Sequence, residues 1–164
     1  MDDATKEQFN AVVRSLDYPM IIVTVEADGE RSGCLVGFHT QCSIDPPRFW
    51  VGISKKNHTY GVARRAQHLA LNFPSAGDID LAKLFGERTG DESDKFAQCG
   101  WTAGPHGVPL LDACPNWLVA QVLQQDDGGD HVWFMVEPVA AQHGREQQQL
   151  GFQMVKDLEA GHDA

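Results

Sequence analysis

The stretch SIDPPRFWVGISKKNHTY, residues 43–60, decides how this chain is read. Asp45-Pro46-Pro47 stops an extended run, because proline offers no N–H to a ladder and keeps the residue before it out of the helical region. RFWVGIS (48–54) then reads as a strand. Asn57 stands where it caps a short helix over HTYGVARRA. A corner, a strand and a polar helix start therefore follow one another without a break.

Working outward, SGCLVGFHTQC (32–42) joins Ser43 as one extended strand that the proline corner ends. Before it, MIIVTVEA (20–27) is β-branched and meets the turn signal Asp28-Gly29. Period-two alternation puts His39, Gln41 and Ser43 on one face, and Phe38, Thr40 and Cys42 on the other. Alternation alone leaves open which set faces a ligand.

Downstream, LALNFP (69–74) reads as a strand and DIDLAKLFG (78–86) as a short helix closed by Gly86. Residues 87–115 are rich in Gly, Asp and Pro and read as a long loop with a helical turn near Asp94-Lys95-Phe96. A loop of that length is functional or pinned to a partner. NWLVAQVLQQ (116–125) and HVWFMVEPVAA (131–141) form a hairpin across DDGGD. At the amino end Phe9, Val12, Val13 and Leu16 predict an amphipathic helix with Thr5 as its N-cap. At the other end Leu150, Met154, Val155 and Leu158 predict a final helix within residues 145–159. Several short strands with few, short helices and no βαβ alternation point to a mainly β class: a small barrel decorated by helices. The 164 residues read as a single domain, 1–164, with its core over about 18–141 and helical flanks at both ends.

The totals exclude several classes. Lys plus Arg number 13 against 23 for Asp plus Glu, a net charge of −10, which repels nucleic acid and anionic lipid. No apolar run reaches the length of a membrane span, and MDDATKEQF lacks the basic start of a secretion signal, so the expected location is cytoplasmic. Cys34, Cys42, Cys99 and Cys114 form no C-x-x-C pair and read as reduced thiols; no metal site is expected. G-x-G-x-x-G, G-x-x-x-x-G-K-[ST] and the G-x-S-x-G elbow are absent.

Against that acidic background, residues 48–65 hold Arg48, Lys55, Lys56, Arg64 and Arg65 and no Asp or Glu. With Ser54, Asn57, His58 and Thr59 at a helix start, they suit a phosphate. The competing reading is a basic helix face balanced by Glu87, Asp91 and Glu92. Gly129-Asp130-His131 places a titratable imidazole where a hairpin turn enters a strand.

Four segments in this order resemble the flavin reductase-like family, which folds as an FMN-binding split barrel. They are S-I-D-P-P (43–47), RFWVGISKKNHTY, LAKLFG…DKFAQCGW followed by G-V-P-L-L (107–111), and GDHVWFMVEPV. The resemblance covers about Tyr18 to Ala141. It implies a homodimer with one flavin, FMN or FAD, per subunit near the dimer interface. Carried across residue by residue, Gly37, Phe38, His39, Thr40, Gln41, Cys42 and Ser43 would line the isoalloxazine ring. Ser54, Asn57, His58 and Thr59 would hold the ribityl phosphate, Lys95 and Phe96 would close over the flavin, and His131 would stand at its edge as the catalytic residue. The family pattern N-x-F-x-S-V-S is replaced here by the bulkier Gly37-to-Ser43 run.

The implied activity is NAD(P)H-dependent flavin reduction, with reduced flavin supplied to a partner monooxygenase. The alternatives are a reductase using the deazaflavin F420 on the same fold, and a flavin carrier without reductase activity.

Overall fold

The hairpin of β1 (Ile21–Ala27) and β2 (Glu30–Val36) turns at Asp28-Gly29, where φ is 54° and 81°. Both values belong to the left-handed region that two-residue hairpin turns demand. The computed structural model describes residues 1–87 and 93–159. Within them the chain continues through β3 (His39–Ser43), β4 (Arg48–Ser54), β5 (His68–Phe73), β6 (Trp101–Ala103), β7 (Pro109–Leu111), β8 (Asn116–Asp127) and β9 (His131–His143).

Seven of these strands form one antiparallel sheet in the order β2-β1-β5-β8-β9-β4-β3, and β6 with β7 makes a separate hairpin. The sheet curls so that β2, at one end, returns against β4 near the other. No ladder joins β2 to β4 among the described residues, so the barrel is split along that seam.

The run expected to be one strand, 32–43, is thus two. β2 and β3 lie on opposite edges of the sheet, and Gly37-Phe38 carries the chain between them. Sequence periodicity does not register this break because both halves are extended. What breaks the strand is packing: a Cβ on Gly37 would lie 2.8 Å from the Tyr18 ring, and Gly52 N–H donates to the Phe38 carbonyl at 2.7 Å.

Ile21, Val23, Val25, Val51, Ile53, Leu69, Leu71, Phe134 and Val136 fill the barrel and are almost fully buried. Each large side chain contributes about 1.5–3 kcal/mol by leaving water. One polar knot lies among them. Asn72 donates to the Ile22 carbonyl at 3.1 Å and to Thr24 Oγ1 at 2.9 Å, and accepts from Leu111 N–H at 3.0 Å. It fastens β7 to the barrel, so the stretch read as a loop contains an ordered hairpin.

α1 (Asp3–Ser15) forms as expected, but Asp2 rather than Thr5 is its N-cap, accepting from Thr5 N–H at 2.8 Å. A carboxylate placed before the first turn outcompetes a hydroxyl inside it. The helix buries none of its residues; Phe9, Val12 and Leu16 stay exposed. α2 (His58–Ala63) is capped by Asn57, as expected. α3 (Ile79–Glu87) continues through Gly86, which does not close it. A 3₁₀ turn over Lys95–Ala97 is capped by Asp94.

The final helix expected over 145–159 does not form. That segment makes isolated bridges Ser75↔Gln149 and Pro19↔Gly151 and a single 3₁₀ turn, Phe152–Met154. Its backbone groups pair with the barrel, which holds it extended as far as Gly151, while Leu150 and Val155 are buried. Among the described residues no helix is long and apolar enough to cross a membrane.

Candidate functional site

A cavity of about 480 Å³ opens where β2 and β4 part. Cys34, Leu35, Val36 and Gly37 form one wall, and Gly52, Ile53 and Ser54 the other. Phe85 and Gly86 of α3 and Phe152, Val155, Lys156 and Leu158 of the carboxyl segment close its other, mostly apolar end. Ser54, Asn57 and His131 form the polar end, beside Phe38. Gly52 leaves room for two aromatic neighbours to pack on it: a Cβ there would lie 3.1 Å from Phe38 Cβ and 3.4 Å from the Trp133 indole.

Asn57 also borders a second, shallower depression with Lys55, Lys56, His58, Arg64 and Arg65. The basic run is largely matched by acids. Arg65 bonds Asp28 at 2.6 Å and Glu30 at 2.7 Å, Lys55 bonds Asp127 at 2.7 Å, and Arg48 approaches Glu137 at 3.5 Å. The balancing carboxylates therefore come from the β1–β2 turn and the β8–β9 ribbon. Asp91 and Glu92, named as the alternative counter-charges, lie outside the described residues.

His131 Nδ1 lies 2.7 Å from Asp130 Oδ1, and its ring packs at 4.8 Å and 57° against Phe38. That hydrogen bond, with the imidazole's charge, holds the Asp130 carboxyl below its usual pKa. Gly37, Phe38, Ser54, Asn57 and His131 are thus brought together around one cavity.

The other expected contacts are placed elsewhere. His39 turns to the Pro19 carbonyl, 2.7 Å from Nε2, and lies nearly parallel to Phe49 at 6.2 Å; burial lowers its pKa. Its Nδ1 is buried without a partner among the described residues. Thr40, Gln41 and Cys42 are exposed on the edge strand, with Gln41 donating to the Ser43 carbonyl at 3.1 Å. His58 Nε2 meets Glu30 at 2.9 Å. Thr59 is buried, its hydroxyl 2.9 Å from Ser32 Oγ, so it ties α2 to β2. Lys95 lies buried behind the cavity wall, donating to the carbonyls of Gly33 at 2.9 Å and Phe85 at 3.3 Å. Its orientation differs from the expected closure over the opening.

Sequence reasoning missed Tyr18, Phe85, Gly86, Phe152 and Leu158, which line the cavity from three distant parts of the chain. Tyr18 and Phe152 stack at 4.7 Å with planes 9° apart. No local pattern signals such a pair. Cys34 is a buried thiol whose pKa burial pushes up to about 11, so it stays protonated at neutral pH.

Residues 13–156 match the family model of the flavin reductase like domain. The chain belongs to this family. Among relatives it is similar to the stachydrine N-demethylase reductase subunit of Rhizobium meliloti, at 31% identity over 123 residues. That match takes in 73% of this chain and 52% of the relative, so the chain spans about half its length. It is also similar to the reductase component of the 4-nitrophenol 4-monooxygenase/4-nitrocatechol 2-monooxygenase of Rhodococcus opacus, at 30% identity over 139 residues, 85% of this chain and 73% of that one. The Streptomyces globisporus NADH:FAD oxidoreductase structure shares the fold, with a TM-score of 0.83, 21% identity, and coverage of 99% of this chain and 93% of that one.

The residues present fit a flavin. The cavity volume suits a ligand of that size, its lining is mostly apolar with Gly37, Gly52 and Gly86 among it, and its polar end offers hydroxyl, amide and imidazole groups.

Proposed function

We propose that this chain is a nicotinamide-dependent flavin reductase that binds FMN or FAD at the barrel split, is reduced by NADH or NADPH, and supplies reduced flavin to a partner monooxygenase. One observation carries the reading: at Asn57 a mostly apolar cavity meets a rim rich in Lys and Arg, part of whose charge is matched by Asp28, Glu30 and Asp127. A heteroaromatic ring suits the first and a phosphate the second. The relatives named as reductase components of oxygenase and demethylase systems support the partner.

When bound, flavin would take electrons from the nicotinamide and pass them on. The Gly37 and Phe38 backbone would lie along the ring, while Ser54 and Asn57 bond polar groups. His58 and Thr59 would hold the rim through Glu30 and Ser32 rather than by direct contact. His131, buttressed by Asp130 and Phe38, would orient the nicotinamide at the cavity edge. His39, Thr40, Gln41, Cys42 and Ser43 belong to the edge strand and would meet flavin where two subunits join. The uncovered Phe9 and Val12 of α1, with Leu16 just after it, support such a homodimer. In this reading residues 1–164 act as one domain.

The test is anaerobic. FMN titrated into the protein should bind at micromolar concentrations or tighter, and NADH or NADPH should bleach it. Absence of FMN and FAD binding overturns the reading. Binding without bleaching by either nicotinamide replaces it with a flavin carrier or, if reduced F420 bleaches the complex, with an F420-linked reductase.

A further inference from the structure

Lys95 is the one charged side chain, among the described residues, that is buried, with 5% exposure. Its ammonium is held by the Gly33 and Phe85 carbonyls and lies 5.5 Å from the centre of the Phe85 ring. No carboxylate among the described residues pairs with it. Burying a cation without a counter-ion is costly, and carbonyl dipoles recover only part of that cost. An apolar side chain of similar length would fill the same space more cheaply. The charge therefore calls for a use.

Its position suggests one. Phe85 lines the cavity directly, and Gly33 immediately precedes Cys34, which also lines it. The ammonium stands close enough to this wall to act on it: its charge lowers the pKa of the Cys34 thiol against the larger effect of burial. Burial in turn pulls the pKa of Lys95 below the ordinary lysine value. Behind a thin apolar wall, a fixed charge acts with less screening than it would in water.

We infer that Lys95 is a positioning residue that acts by its field: from behind the wall of Gly33, Cys34 and Phe85 it makes the cavity favour an anionic occupant. Resting on the flavin reading above, this means that it favours the reduced, anionic ring over the oxidised, neutral one. Lys95 would touch neither ring nor phosphate. It would set how tightly each redox form is held, and so the ease with which the bound ring is reduced.

The test compares wild type, Lys95→Met, Lys95→Gln and Lys95→Arg, using oxidised FMN and dithionite-reduced FMN under anaerobic conditions. Binding of oxidised FMN by wild type is measured first; its absence overturns the flavin reading itself. Given binding, Lys95→Met should weaken reduced FMN about tenfold more than oxidised FMN, equivalent to a potential about 30 mV lower for two electrons. Lys95→Gln, which keeps N–H donors without charge, should behave as Met does, and Lys95→Arg should restore most of the preference. Equal weakening of both redox forms, or no change, overturns the inference while leaving the flavin reading intact. Thermal melting of the protein without flavin checks folding. If neither neutral variant folds, Lys95 is a folding residue and the inference falls.

Discussion

The imidazole of His131 packs against the ring of Phe38 at 4.8 Å while its Nδ1 meets Asp130 Oδ1 at 2.7 Å. Two elements that are far apart in sequence, the β2–β3 crossing and the β8–β9 turn, thereby fix one side chain at the cavity mouth. His131→Ala should slow anaerobic bleaching of bound FMN by a nicotinamide by about tenfold to a hundredfold. FMN affinity should change little. Stopped-flow absorbance with a parallel binding titration separates the two, and the opposite pattern would remove the orienting role.

Asn57 caps α2, accepting from Thr59 N–H at 2.9 Å, and borders both the cavity and the basic rim. Asn57→Ala should cost about 1 kcal/mol of stability through the lost cap. Its effect on FMN affinity should exceed its effect on riboflavin, because only FMN carries the phosphate. Equal losses for the two ligands would place the phosphate elsewhere.

Gly37 lies 2.8 Å, measured from an added Cβ, from the Tyr18 ring and 3.2 Å from Met20 Sδ. Gly37→Ala should push Tyr18 off its stack with Phe152 and destabilise the fold by about 1–3 kcal/mol. Urea unfolding measures the loss, and an unchanged midpoint would show that the aromatic pair yields freely.

Asn72 is fully buried and serves Ile22, Thr24 and Leu111 at once. Asn72→Ala removes the partner of the Leu111 N–H and one bond each from the Ile22 carbonyl and the Thr24 hydroxyl, which still donates to the Pro109 carbonyl, and each buried group left unsatisfied costs about 1–3 kcal/mol. A drop of about 3 kcal/mol is expected from chemical denaturation, together with loosened hydrogen-exchange protection at Leu111. A drop below about 1 kcal/mol would mean that water reaches the knot.

His39 has a pKa lowered by burial, with the Pro19 carbonyl pulling the other way. The unfolded chain then binds its proton more readily than the native state does, so acid favours unfolding. Stability from this group is full above the ordinary value of about 6.5 and falls as pH drops through the lower folded value. His68 acts in the same direction, through burial and then its stacked neighbour His106 at 3.8 Å. His39→Phe should flatten the acid limb of melting temperature against pH, and an unaltered slope would assign it to other groups.

Much of the barrel was legible because its signals are local. RFWVGIS is β4 residue for residue, the DDGGD turn joins β8 to β9, and Asn57 caps α2. Ser54, Asn57 and His131 were found as site candidates because a polar helix start and a glycine-flanked histidine are short-range patterns. The carboxyl segment misled because apolar spacing at Leu150, Met154, Val155 and Leu158 suits a helix in isolation. Backbone pairing with Pro19 and Ser75 outweighs that propensity.

Alternation, turn chemistry and capping, written into neighbouring residues, determined the strands, the corners and the mainly β class from sequence alone. Tertiary structure decided that residues 32–43 divide between opposite edges of one sheet, that Tyr18 meets Phe152, and that Lys95 points into the interior. The reason is physical: each of these depends on how a curled sheet closes upon itself, and closure is settled by long-range packing that no short window contains.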